Sequence, residues 1–324
     1  MTTVDDAQMP PRPPLLPLDL VVAEILPRIA TRCIARSVCR AAAAILPRAE
    51  DRVSLLRGDA ARWAAEHAGL GNHGAPTAAG VFARLGLTRE LREVVAAKCS
   101  MDASTCAAAA LGGHLETLQW AREHGCQWNS VTSHYAARFG YLDFLRWAHE
   151  AGCPWDAGTS KAAARGGHLA VLQWAHEAGC PWDKWTCSAA AERGDLEMLQ
   201  WARYRGCEWD EWTCCMAAYG GHLAVLQWAH GAGCPWDENT CSKAAVGGHI
   251  ETLQWARDQG CPWNERTCSS AALGGHLEVL QWARSAGCPW DELTRVYAGG
   301  SGFFAEPRIL EWLREVGFPA WPAP

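Results

Sequence analysis

Cysteine and histidine are the residues here whose type and spacing could do chemistry. The chain has sixteen cysteines and twelve histidines. One cysteine column, Cys126, Cys153, Cys180, Cys207, Cys234, Cys261 and Cys288, advances by 27 residues each time. Most histidines fall in two columns of the same step: His114, His168, His222, His249 and His276 directly after a glycine, and His149, His176 and His230 before a Gly-Cys-Pro-Trp run. Three chemistries follow from such residues, and spacing speaks against each. A zinc site needs four ligands within about 2.0–2.3 Å of one point, and columns one repeat apart do not converge. A nucleophile with its base should make one copy differ from the rest, and no copy does. A disulfide needs Cα atoms about 5.5 Å apart, whereas equivalent positions in stacked helices lie roughly 8–10 Å apart. Reduced, buried thiols acting as small apolar groups are therefore expected, in a reducing compartment, the cytoplasm or nucleus. No cofactor, metal or enzymatic activity is expected, and no GxxxxGK phosphate loop occurs.

The same step organises the whole middle of the chain. Trp120, Trp147, Trp174, Trp201, Trp228, Trp255 and Trp282 keep it, and so do Gly113, Gly140, Gly167, Gly194, Gly221, Gly248 and Gly275. A period of this size means a stacked array. In the unit beginning at Thr186, the threonine is expected to cap a first helix of about eight residues through its hydroxyl. A glycine turn follows, then a second helix through Leu196, Leu199 and Trp201, then a left-handed stop at Gly206. Helices this short need their neighbours. The tryptophans of the Trp120 and Trp128 types are expected to join unit to unit, each costing roughly 3–5 kcal/mol if buried and truncated to alanine.

Net charge is −6 with pI about 6.1, which leaves no basic footprint for nucleic acid. The most apolar stretch, Leu15 to Ile29, holds Asp19, Glu24 and Arg28 and cannot span a membrane, and Met1 to Pro14 does not read as a signal peptide.

The run Gly221 to Asp237, GHLAVLQWAHGAGCPWD, with Thr240-Cys241 after it, resembles the second helix and exit turn of ankyrin repeats. At 27 residues the unit is shorter than that family's usual one, and the loss falls where the family carries its β-hairpin finger. The resemblance implies an all-α solenoid of short helix pairs joined by tight turns, built for protein–protein interaction and expected to be a monomer. Short units rich in GCPW are similar to ankyrin-like arrays of giant DNA viruses, pandoraviruses above all, which would place the protein in host cytoplasm or nucleus.

The expected organisation is a disordered N-terminus (1–14), a helical segment (15–48), a helical connector (49–74) and the array (75–324). The array comprises a degenerate cap (75–101), seven regular repeats (about 102–291) and a C-terminal cap (292–321) that ends in Phe318 and Trp321. Within 15–48, Leu16, Pro17, Asp19, Leu20 and Ile25, with Val38, Cys39 and Arg40 further on, resemble an F-box. That module docks on the Skp-type linker of cullin–RING ubiquitin ligases. Ala23 looks like an insertion, and the usual tryptophan after Arg40 is absent. A plain amphipathic cap on the array is the alternative.

Counted from the threonine, the positions one before, three after and six after vary between copies, and they share one face of the first helix. In ankyrin-like arrays the first helices line the concave side, so this face resembles a groove for a target protein. Its expected lining is Tyr135, Arg138, Arg165, Trp185, Trp212, Met216, Tyr219 and Lys243. Aromatic residues and Met at the centre have the composition of a binding hot spot. The alternative is that the two tryptophans fold over gaps left by the shortened turns. Arg138 and Arg165 suggest an acidic partner segment at one end. Two readings follow: an adaptor that recruits a substrate to a cullin–RING ligase, or a plain scaffold that sequesters its partner.

Overall fold

The computed structural model describes residues 78–96, 100–299 and 307–317. The expectations for the N-terminus, the F-box-like segment and the connector, and for Phe318 and Trp321, lie outside them. The described residues form eighteen helices and no strand. The chain divides into two compact units, 1–132 and 133–324.

In the first unit lie α1 (Ala78–Arg84), α2 (Thr88–Ala96), α3 (Ala103–Gly112) and α4 (Leu115–Glu123), with α5 (Ser130–Arg138) at the boundary. Helices α1 and α3 pack against each other, and each packs on the second helix of its own pair. The segment expected to be a degenerate cap already carries the repeat geometry. Gly86 has φ +68°, and the imidazole of His114 lies where its Cβ would be.

The second unit continues with α6 (Leu142–Glu150), α7 (Ala157–Gly166), α8 (Leu169–Glu177), α9 (Lys184–Arg193), α10 (Leu196–Tyr204), α11 (Glu211–Tyr219), α12 (Leu223–Gly231), α13 (Glu238–Gly247), α14 (Ile250–Asp258), α15 (Glu265–Leu273), α16 (Leu277–Ser285), α17 (Glu292–Gly299) and α18 (Pro307–Glu315). Odd-numbered helices are first helices and even-numbered ones second. First helices lie backbone to backbone, α7 on α9, α9 on α11, and so on to α17, and second helices stand further apart. The sequence dictates this. Ala163, Ala190, Ala217, Ala244 and Ala271 are fully buried in the first helices, and small side chains let backbones approach. Each second helix buries one fully enclosed leucine: Leu145, Leu172, Leu199, Leu226, Leu253 or Leu280.

The caps differ from expectation. Asp183, not Thr186, is the N-cap of α9, its carboxylate accepting from the Trp185 amide at 3.0 Å. Thr186 sits one turn in, fully buried, its hydroxyl without a partner. Asp caps better than Thr because its carboxylate also meets the positive end of the helix. Only at α3 and α7 does the threonine complete a capping box, with Asp102 and Asp156.

The histidine after the glycine reaches back to the preceding repeat. Nε2 of His222 pairs with the carbonyl of Glu192 at 3.1 Å, and that of His276 with the carbonyl of Val246 at 3.1 Å, each 30 residues back. The ring also lies over the preceding unit's turn. A Cβ at Gly194 would meet Nδ1 of His222 at 2.4 Å. The one unit with Asp195 in this column uses its carboxylate to cap α10 at Met198, and Arg193 fills the space over Gly167.

All thirteen described cysteines are buried thiols, none of them in a disulfide. The loop thiols close each unit on itself. Cys207, Cys234 and Cys261 donate to the carbonyls of Asp183, Asp210 and Asp237 at 3.4 Å, joining the exit of a unit to the start of its first helix. A thiol must keep its proton for this role. In the loop column burial pushes Cys180 up, whereas hydrogen bonding with Cys268 holds Cys288 down, and on α11 burial pushes Cys215 up to about 12. The contact that the column argument missed lies within a unit, where Cys106 and Cys126 stand 3.3 Å apart.

Candidate functional site

Tryptophan occurs in two settings in the second unit. In the first, the exit-turn indole of one unit packs on the second-helix indole of the next. Ring centres of Trp155 and Trp174 lie 5.8 Å apart, as do those of Trp182 and Trp201 and of Trp209 and Trp228. The outer face of each exit-turn indole is covered from its own unit. His149 stacks on Trp155 at 3.8 Å and His230 on Trp236 at 3.7 Å, while Arg203 lies over Trp209 at 4.0 Å and Arg257 over Trp263 at 4.1 Å. Each guanidinium also donates to the carbonyl of the following cysteine, Cys207 or Cys261. This is the expected joint between units, although these indoles are half-buried rather than buried. Trp312 takes the second-helix place opposite Trp290 at 6.0 Å despite the three extra residues before it.

The second setting is the face of the first helices, where Asp caps place the side chains. Asp183 and Asp210 each bond the amide two residues on, which fixes Trp185 and Trp212 in the first turns of α9 and α11. Their rings lie 6.1 Å apart. Trp185 is 37 % exposed and Tyr219, at the end of α11, 44 %. Cations flank the rings on both sides. Nζ of Lys161 lies 5.2 Å from the Trp185 ring, and that of Lys184 lies 5.6 Å from it. Lys243 stands 5.7 Å from both Trp212 and Tyr219. Lys184 is also paired with Asp210 at 2.6 Å, which raises its pKa through the hydrogen bond and the opposite charge. The backbone beneath is pinned: His249 bonds the Tyr219 carbonyl and His222 that of Glu192.

Of the expected lining, the structure thus gathers Trp185, Trp212, Tyr219 and Lys243. Met216 is half-buried on the same helix as Trp212 and Tyr219. Tyr135 is half-buried and Arg138 exposed, both on α5 and outside the aromatic cluster. Arg165 is engaged by Glu192 in two bonds of 3.0 and 3.1 Å, so its charge is met within the protein. Ala189, counted on the variable face, is 3 % exposed and packs inward. Lys161 and Lys184 were missed. The chain contains only four lysines, Lys98, Lys161, Lys184 and Lys243, and three of them meet here, a signal that was present in the composition.

Among the described residues no group of three or more His, Cys, Asp or Glu is placed to hold a metal ion. No helix among them is long and apolar enough to cross a membrane.

No curated protein matches the chain. The crystal structure of the human ASB11 ankyrin repeat domain is similar at 15 % identity and a TM-score of 0.32, over 57 % of this chain and 84 % of that one. Residues 106–149 match the family model of ankyrin repeats (many copies). The ankyrin-repeat match thus covers residues 106–149, one stretch of the region that keeps the 27-residue step.

Proposed function

We propose that this protein holds a target protein on the first-helix face of its second unit, at Trp185, Trp212, Met216 and Tyr219, and delivers it to a cullin–RING ubiquitin ligase. One observation carries the docking part. Trp185 and Tyr219 are exposed and Trp212 half-buried beside them, clustered on helices whose inward positions are small and fully buried. Exposed, clustered aromatic groups on a rigid support match the make-up of a binding hot spot. Repeats of this kind present surfaces for protein partners. The delivery part rests on the F-box-like residues Leu16, Pro17, Asp19, Leu20, Ile25, Val38 and Cys39, which lie outside the described residues.

The test is a pull-down from eukaryotic lysate with three proteins: wild type, Leu20→Ala/Ile25→Ala, and Trp212→Ala/Tyr219→Ala. Wild type is expected to retain a Skp-type linker and a cullin together with a target. The first variant should lose linker and cullin and keep the target, and the second the reverse. Target capture without linker in every lane would reduce the protein to a scaffold. Target capture by a correctly folded Trp212→Ala/Tyr219→Ala variant would move the docking site elsewhere.

A further inference from the structure

The chemistry of the docked segment can be read from the cations around it, on the premise that the first-helix face is the docking surface. Arginine is this chain's ordinary cation: twenty-five of its twenty-nine basic residues are arginine. Wherever a cation covers a joint tryptophan, it is arginine, as at Arg203 and Arg257, and elsewhere the cover is a stacked histidine ring, as at His230. A guanidinium stacks on the ring and, through its fork, bonds a carbonyl as well. Lysine does neither so well. Its ammonium is a compact point charge with three donors. Three of the four lysines nevertheless border Trp185, Trp212 and Tyr219.

Their pairing differs. Lys184 is matched by Asp210, whereas Lys161 and Lys243 have no carboxylate in ion-pair contact among the described residues. They sit at the two ends of the cluster, on α7 and α13, with α9 and α11 between. A ring face that already borders a fixed ammonium disfavours a second cation, since like charges repel. The incoming group is therefore anionic at the ends and apolar in the middle. Ring-to-ring and ring-to-ammonium distances across Trp185 and Trp212 leave the Lys161 and Lys243 ammonium groups at most about 17 Å apart. An extended peptide at about 3.3 Å per residue covers that in about five residues. A nucleic-acid strand fits less well. Its charge is continuous, and Glu192, Glu211 and Glu238 belong to the same first helices as the aromatic cluster.

We propose that the face accepts an extended acidic–apolar–acidic segment of a partner protein, its terminal carboxylates on Lys161 and Lys243 and its apolar side chains on Trp185 and Trp212.

Fluorescence anisotropy on the full chain tests this with three probes. One is a labelled peptide of this length, with glutamates at both ends and leucine and phenylalanine between. The second is the same peptide with glutamines for glutamates, and the third a labelled single-stranded oligothymidylate. The glutamate peptide should bind, and weaken at high salt. The glutamine peptide should bind about tenfold or more weaker, as should the glutamate peptide on Lys161→Gln/Lys243→Gln, each charged hydrogen bond lost being worth about that factor. Circular dichroism confirms that the variant is folded. Equal affinity for the two peptides, tighter binding of the oligonucleotide, or no peptide binding at all would overturn the proposal. The docking reading fails separately, if target capture survives Trp212→Ala/Tyr219→Ala.

Discussion

The second unit holds two populations of tryptophan that follow different rules. The joint indoles, such as Trp155 against Trp174, recur at each step of this unit, each pairing one repeat with the next. The face indoles, Trp185 and Trp212, occur in two consecutive units only and have each other and lysines for company. Spacing explains why both kinds are possible. First helices are drawn together by alanine, so a large side chain on that layer has nowhere to go but outward. Second helices stand further apart, and the gap between units is filled by indole and imidazole or guanidinium. Recurrence in every unit thus marks a stacking requirement, and departure from the recurring pattern marks a surface free to specialise.

The turn that joins the two layers gives the largest expected effect. Gly194 has φ +80°, and an added Cβ would also strike the His222 ring. Gly194→Ala should destabilise the protein by about 2–4 kcal/mol, from left-handed strain plus a lost interunit hydrogen bond. Gly206 has φ +87° with nothing near an added Cβ, so Gly206→Ala should cost only the backbone strain, about 1–2 kcal/mol. Urea midpoints that coincide would show that the His222 contact contributes nothing.

Trp174→Ala should cost about 2–3 kcal/mol, less than a fully buried indole because the ring is half-exposed. Trp185→Ala should stay within about 0.5 kcal/mol, as for a surface position, and yet impair target capture. If thermal melts show Trp185→Ala to be as costly as Trp174→Ala, the face indoles are joints too, and the docking site loses its basis.

The smallest effect is acid sensitivity of the interunit histidines. Burial, then the neighbouring imidazoles His222 and His276, hold His249 below the ordinary value of 6.5, against an opposing hydrogen bond to the Tyr219 carbonyl. The unfolded chain therefore takes up the proton first. The stability that His249 contributes is present above about pH 6.5 and is lost as pH falls below it and through the lower value of the folded state. Urea midpoints should decline modestly from about pH 7.5 to about pH 5.5, and less so in His249→Asn. A flat profile, or equal slopes in both proteins, would contradict the stated shift.

The period, the helix pairs and the left-handed glycines were legible because each is a local demand repeated many times. The capping residue was misread because Asp183 and Thr186 are both good caps three residues apart, and only the structure shows which one meets the first free amides. The reach of His222 to Glu192 was hidden because the bond crosses from one unit to its neighbour, and nothing local records it. Lys161 escaped because it lies one column from those counted as the variable face, in a place that serine holds in three repeats. Its meaning rests on what α9 sets beside it.

The scarcity of lysine also limits how the protein can be marked. Enzymes that attach ubiquitin or acetyl groups to side-chain amines find four acceptors in 324 residues, and three of them border Trp185, Trp212 and Tyr219. With a partner seated on that face, those amines are covered. Occupancy and amine modification would then compete for the same few atoms, so a loaded protein would offer the tag three fewer lysines than an empty one.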